Sequence, residues 1–259
     1  MQNNTFSGQS LRQKLIVLDE IGSTNDYLKS QLSNFKPLPE WSAIMAKNQT
    51  NGRGQRENSW IVEPNSNLTF SFVLFPNYLN LQQHFIINML ISLGIIDWLK
   101  FLNIIATIKW PNDILIGNKK IAGILIENIS NSKEIKQSVI GIGVNVNQKQ
   151  FLEDLQHTAS SLFKESGIFI EDLESACLDL LASIYNRVEN YKNNSLSNID
   201  LLKEYNNSLF RRDILASYSS NNITFQAILT KVDENGQLYL LKNNKEITFY
   251  FKELVFVMQ

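Results

Sequence analysis

Lys109-Trp110-Pro111-Asn112-Asp113 is followed, after five intervening residues, by Lys119-Lys120-Ile121-Ala122-Gly123-Ile124-Leu125. Residues 114–116 and 121–127 are apolar, β-prone runs, and Gly117-Asn118 between them has the composition of a two-residue hairpin turn. The stretch predicts a β-hairpin bearing two lysine sites, with a rigid Trp-Pro turn and the Asp113 carboxylate between them. Cations held at a fixed separation on strands suit a substrate with two anionic centres.

Working outward, residues 15–18 form a short apolar strand that runs into Gly22-Ser23-Thr24-Asn25-Asp26, a helix-capping composition, and then a helix to about residue 32. Residues 41–47 read as a second strand, leading into the polar loop 48–59 that Trp60 closes. Residues 67–75 read as another strand, 81–102 as a long helix and 104–110 as β-rich. Residues 138–147 form a strand with Gly141 and Gly143 inside it, and glycine in a strand marks close approach of a ligand or backbone. Helices follow at 171–190 and 201–205. From residue 209 the pattern changes to short runs at 214–218, 223–232, 237–241, 247–251 and 254–257, with Asn221-Asn222, Asn235-Gly236 and Asn243-Asn244 as turns. That spacing predicts a small β-barrel. The fold expected is α+β: a mixed sheet with helices on one face over residues 1–208, then a barrel over 209–259.

The 259 residues are 44% hydrophobic and 19% charged, which argues for a folded chain rather than disorder. A net charge of -1 gives no global basic field for nucleic acid, so anion binding must be local. The single cysteine, Cys177, excludes an intrachain disulfide framework and a cysteine zinc site. His84 and His157 lack ligand spacing, so no protein metal cage is expected. Residues 85–102 are apolar, but Asn88, Ser92, Asp97 and Lys100 interrupt them, which favours a core helix over a membrane span. With no apolar leader and no disulfide requirement, a cytoplasmic protein is expected.

Singly, the remaining motifs are ambiguous. Ser23-Thr24-Asn25 is a helix cap or a polar ligand site, and Gly52-Arg53-Gly54 is a solvated turn or an anion-binding loop. Gly141-Ile142-Gly143 is not a dinucleotide fingerprint, because Asn147 replaces the third glycine and no helix opens there. Their order is more specific: Ser-Thr-Asn, Gln-x-x-Gly-Arg-Gly, Lys-Trp-Pro-Asn-Asp, Lys-x-Ala-Gly-Ile-Leu, Gly-x-Gly-x-Asn. From about Val17 to Asn147 this series resembles the biotin protein ligases, and more loosely the resemblance extends to their small C-terminal SH3-like barrel.

The resemblance implies an enzyme that activates biotin with MgATP as biotinoyl-5′-AMP and transfers it to a lysine of a biotin carboxyl carrier domain, as in acetyl-CoA carboxylase. It implies that Lys120 bridges the biotin carboxylate and the α-phosphate, with Arg53 and Asp113 as further catalytic groups. Asp113 would act through Mg²⁺ or by orienting a lysine. Ser23, Thr24, Asn25, Gln49, Gly52, Arg53, Gly54, Gln55, Lys120 and Gly123 would contact biotin, and Arg56, Trp60, Lys109, Asn112 and Asn145 would contact ATP, which carries the Mg²⁺. Lys119, on the other strand face by alternation, is expected to be solvated. Many relatives carry a second arginine where this chain has Gln55 and a glycine where it has Glu57. That departure leaves open which arginine closes the site and predicts looser retention of the adenylate. Only some sixteen residues precede the first strand, so no operator-binding domain and no nucleic-acid partner are expected. The partners are small molecules and the carrier, with no membrane, in a monomer or homodimer. Two rivals remain. A lipoate ligase or octanoyltransferase would want a longer apolar slot, and a barrel-containing effector-binding protein would not need Lys120 and Arg53.

Overall fold

The computed structural model describes residues 9–33, 38–55, 58–132 and 134–258. A seven-stranded mixed sheet runs in the order β1-β2-β3-β7-β6-β5-β4. Its strands are β1 (Leu15–Ile21), β2 (Ala43–Gln49), β3 (Asn67–Leu74), β4 (Thr107–Lys109), β5 (Asp113–Ile116), β6 (Lys119–Ser130) and β7 (Ile135–Asn145). Among the described strands of this sheet only β1 and β2 pair in parallel, joined by helix α1 (Thr24–Leu32) as a crossover. The hairpin read from the sequence is β5–β6, and Gly117 takes a φ of 55° at its turn.

Strict alternation sorts the two faces. Leu68, Phe70, Phe72 and Leu74 of β3 join Ile140, Ile142 and Val144 of β7 in the main core. Helices α2 (His84–Phe101), α4 (Leu173–Lys192) and α5 (Asn198–Asn207) cover that face. Helix α2 is apolar and long enough to cross a membrane, yet it is the core helix expected here, with thirteen of its eighteen residues buried. At Gly94 a Cβ would lie 2.8 Å from Ile184 Cγ1, so glycine sets the close α2–α4 crossing. Cys177 is buried in α4, and burial pushes its thiol well up, as befits a small core hydrophobe. A short helix α3 (Leu162–Ser166), capped by Ser161, was not legible in the loop sequence.

The opposite face is not bare. Helix α1 packs Leu28 against Ile44, Val73 and Val139, forming a small second core. The expectation of helices on one face therefore describes α2, α4 and α5, while α1 lies across the sheet from them. The reason is its parallel crossover, which drops α1 on the face left free by the longer helices.

The C-terminal strands are β8 (Leu215–Ser220), β9 (Ile223–Val232), β10 (Leu238–Lys242), β11 (Lys245–Phe249) and β12 (Val255–Phe256). They form a five-stranded antiparallel sheet in the order β11-β10-β9-β8-β12, in keeping with a small SH3-like unit. Asn221-Asn222 and Asn243-Asn244 all have positive φ, the signature of type I′ hairpin turns. The expected boundary at 208/209 falls between α5 and β8. Asn206 ties the two parts by bonding both the Val232 carbonyl and its N–H, and Trp110 Nε1 donates to the Gly236 carbonyl at 3.0 Å.

The helical layer is pinned by Arg187 of α4, which pairs with Asp97 of α2 and, at 2.5 Å, with Glu204 of α5. Arg187→Ala strands two carboxylates and lowers stability by about 2 kcal/mol, with the partial exposure of Glu204 keeping the cost below that of a fully buried pair. Urea denaturation checks this, and an unchanged midpoint contradicts it.

Candidate active site

One row of cross-strand partners crosses the α1 side of the sheet. Lys109 of β4 pairs with Asp113 of β5, Asp113 with Gly123 of β6, Gly123 with Gly143 of β7, and Gly143 with Thr69 of β3. The row places two charged groups beside a floor of two glycines. A register shift between Ile114 and Leu115 then re-aims the next residues. Ile121 turns into the core with no exposure, and Lys120 joins the Asp113 face. Its Nζ lies 2.6 Å from Asp113 Oδ1, and Lys109 Nζ lies 3.7 Å from Asp113 Oδ2, so one carboxylate sits between both lysines. Lys119 points away, on the strand face opposite its neighbour Lys120, as expected. It is not merely solvated, however: its ammonium donates to the carbonyls of Gln156 and His157 and anchors that loop.

The glycines of β7 make room for side chains. A Cβ on Gly143 would lie 2.2 Å from Trp60 Cε2, and one on Gly141 would lie 2.2 Å from Asn25 Oδ1. Close approach was expected there, and the approaching groups are an indole and an amide. Trp60 ends a narrow hairpin closed by the Arg53–Ser59 bridge, with Trp60 N–H donating to the Gly52 carbonyl at 2.9 Å. Gly52 has to be glycine, because a Cβ would meet the Trp60 carbonyl oxygen at 2.2 Å.

Trp60 and Lys120 together separate two cavities. The first is lined by Ser23, Thr24, Asn25, Gln49, Arg53, Gly54, Gln55, Asn112 and Gly123, and measures about 50 Å³. The second is lined by Lys109, Asp113, Asn145, Phe151, Leu155 and Thr158, and measures about 320 Å³. Trp60 and Lys120 belong to both, with the ammonium 5.4 Å from the indole. The nine residues named on the first cavity were all singled out from the sequence. Asn112, expected among the ATP contacts, lines the first cavity, and its Nδ2 donates to the Ile124 carbonyl at 2.7 Å. Asn145 lines the second, with its amide donating to the Ser160 carbonyl. Gly52 lies just behind the first wall, beside Gln49. Arg56 and Glu57 lie outside the described residues. Among the described residues no three His, Cys, Asp or Glu side chains gather as a metal cage.

A buried polar chain backs the first cavity. Gln49 Oε1 accepts from the Thr24 N–H at 2.8 Å and from Thr24 Oγ1 at 3.0 Å. Ser71 Oγ lies 2.7 Å from Thr24 Oγ1 and 2.5 Å from Asn25 Oδ1. Ser71 was missed from the sequence, although the polar Asn67, Thr69 and Ser71 at period two in an apolar strand carried the signal. Asn25 Nδ2 continues to Glu127 Oε2 at 2.8 Å. Glu127 in turn meets Lys29 at 2.9 Å and Arg53 at 3.1 Å, and Asp26 meets Arg53 at 2.5 Å and Lys29 at 3.0 Å. Burial opposes ionisation of Glu127 and Asp26. For Glu127 the hydrogen bonds from Asn25 and Lys29, and for Asp26 those from Lys29 and Arg53, outweigh it and hold both carboxyls below their ordinary range. The Arg53 guanidinium is thus neutralised on α1 and β6.

Residues 17–145 match the Biotin/lipoate A/B protein ligase family. Over 238 residues the chain is 31% identical to the Bifunctional ligase/repressor BirA of Bacillus subtilis, covering 91% of this chain and 71% of that protein. The chain belongs to the biotin/lipoate A/B protein ligase family. A second relative, the Bifunctional ligase/repressor BirA of Bacillus spizizenii, is 33% identical over 195 residues, and the match spans 74% of this chain but only 59% of that protein. Among solved structures, the Aquifex aeolicus biotin protein ligase in complex with biotin and ATP superposes with a TM-score of 0.77 at 25% identity, covering 95% of this chain and 99% of that one. The matched residues span the motifs along β1–β7.

Proposed function

We propose that this chain activates the carboxylate of biotin with ATP and passes biotin to a lysine of a biotin carboxyl carrier domain. The carrying observation is Lys120, among the described residues the one cation in the wall common to both cavities. In the first step a carboxylate oxygen attacks the α-phosphorus and pyrophosphate leaves. Two anions must meet, and a preorganised cation between them lowers that barrier by about 3 kcal/mol. In the second step the lysine amine attacks the mixed-anhydride carbonyl, AMP leaves with the bonding pair, and the amine loses a proton.

The small polar cavity suits the ureido head of biotin, whose N–H and carbonyl groups match Ser23, Thr24 and Gln49. The larger cavity suits the nucleotide, with Lys109 toward the phosphates and Asn145 on its wall. Biotin and nucleotide then bend around Trp60, with the reacting atoms at Lys120. Room for only a few waters in the first cavity means that its wall must move before biotin enters. Asp113 orients both lysines. As the single carboxylate among the described residues lining that cavity, it fits a Mg²⁺ carried by ATP rather than a protein cage, and that ion would neutralise phosphate charge.

The experiment is ATP–pyrophosphate exchange with biotin against lipoate, followed by transfer of labelled biotin to a carrier domain. Exchange with lipoate alone, or with neither, overturns the reading. Gln55 lines the biotin-side wall where many relatives carry arginine. Wild type is expected to release adenylate and label bystander proteins, and Gln55→Arg to cut that labelling severalfold. Wild-type labelling no greater than that of an arginine-bearing relative contradicts this.

A further inference from the structure

The geometry points to Asp26 and Glu127 as positioning residues that latch the 52–60 loop down through Arg53, and so set how long biotin stays bound rather than how fast it is activated. The inference rests on the biotin reading of the site. Among the described residues of the loop, Arg53 makes its only ion pairs to the body of the protein, at 2.5 Å to Asp26 on α1 and 3.1 Å to Glu127 on β6. The loop's other bonds at this end are internal, Gly54 N–H to the Asn58 carbonyl and Trp60 N–H to the Gly52 carbonyl, or lie at its base, Asn51 N–H to the Gly22 carbonyl. Cutting the Arg53 pairs therefore loosens the Arg53 end of the loop, while Trp60 keeps its seat on the Gly143 floor at the other end.

The latch is also wired to the cavity. Glu127 holds the Asn25 amide, and Asn25 Oδ1 meets Ser71 beside Thr24 and Gln49. Lys29 braces both carboxylates from α1, at 3.0 Å to Asp26 and 2.9 Å to Glu127. Two carboxylates and two cations leave the cluster neutral, so Arg53 serves as a strut while Lys120 keeps its place between the cavities. Neither Asp26 nor Glu127 lines either of these two cavities, so neither is placed to touch the reacting atoms.

The test uses the full chain with the isosteric variants Asp26→Asn and Glu127→Gln. Biotin dissociation is followed by competition with labelled biotin in the absence of ATP, and pyrophosphate exchange is measured at saturating biotin. The expected result is dissociation at least 5-fold faster and a matching rise in KM for biotin, with exchange kcat within 2-fold of wild type. Trypsin is expected to cut the 53–56 arginines faster in both variants without ligand, a readout that a diffuse packing defect does not confine to this loop. Because Glu127 is partly buried and holds Asn25, Asp26→Asn, on the exposed rim, decides the matter if Glu127→Gln fails to fold. Unchanged dissociation and unchanged cleavage overturn the latch while leaving the exchange reaction, and hence the biotin reading, standing. A wild type that binds no biotin overturns that reading and the latch with it.

Discussion

Lys120→Ala loses biotin-dependent ATP–pyrophosphate exchange by two to three orders of magnitude, roughly the effect of deleting one preorganised donor at a developing charge. The fold survives, because the pair Lys120–Asp113 is a third exposed on the lysine side and is worth about 1 kcal/mol at most. Asp113 also keeps Lys109 at 3.7 Å, so no carboxylate is stranded. Lys120→Arg does not rescue, since a planar fork of donors at the end of a longer side chain cannot occupy the point between Trp60 and Asp113 that the ammonium fills. Lys119→Ala, one residue away, changes exchange less than 3-fold, because its ammonium is spent on the Gln156 and His157 carbonyls. The contrast between neighbours is the sharp measurement. Exchange by Lys120→Ala within 5-fold of wild type removes Lys120 from the centre of the chemistry.

That neighbour contrast shows where reading a sequence stops. The hairpin was legible because period-two apolar residues flank a Gly-Asn turn, and the cap was legible because Ser23 precedes an amphipathic run. The facing of Lys120 came out right, but simple alternation from Gly123 places Ile121 on the site face and Lys120 in the core. The shift at Ile114/Leu115 reverses this, and register shifts depend on pairing between strands, which one strand's sequence does not encode. The Arg53 partners were invisible for the same reason: Asp26 and Glu127 are 101 residues apart and meet only when α1 crosses the sheet. Ser71 was within reach, since its polar period was present in β3. Asn112 lay in a motif whose spacing fixed its neighbourhood but not which cavity it would line.

Gly143→Ala evicts Trp60 and raises KM for both biotin and ATP by about tenfold or more. The added methyl would sit 2.2 Å from Trp60 Cε2 and 2.4 Å from Nε1, far inside contact distance. The strand cannot retreat, because Gly143 pairs with Gly123 on one side and Thr69 on the other. The indole must therefore leave the floor, taking with it the wall between the cavities and its contact with Lys120, worth about 1 kcal/mol. Trp60 Nε1 is buried with no hydrogen-bond partner among the described residues, so the indole is held there by shape and the glycine floor rather than by a polar tie. Trp60→Ala is expected to show the same twofold signature on biotin and ATP. A double-mutant cycle separates the idea from general damage: adding Gly143→Ala to Trp60→Ala changes either KM less than 2-fold, since the clash no longer exists. Losses that multiply in the double variant mean that the methyl acts on the strand itself, and a Gly143→Ala enzyme with wild-type KM values means that the indole is no pillar between the two substrates.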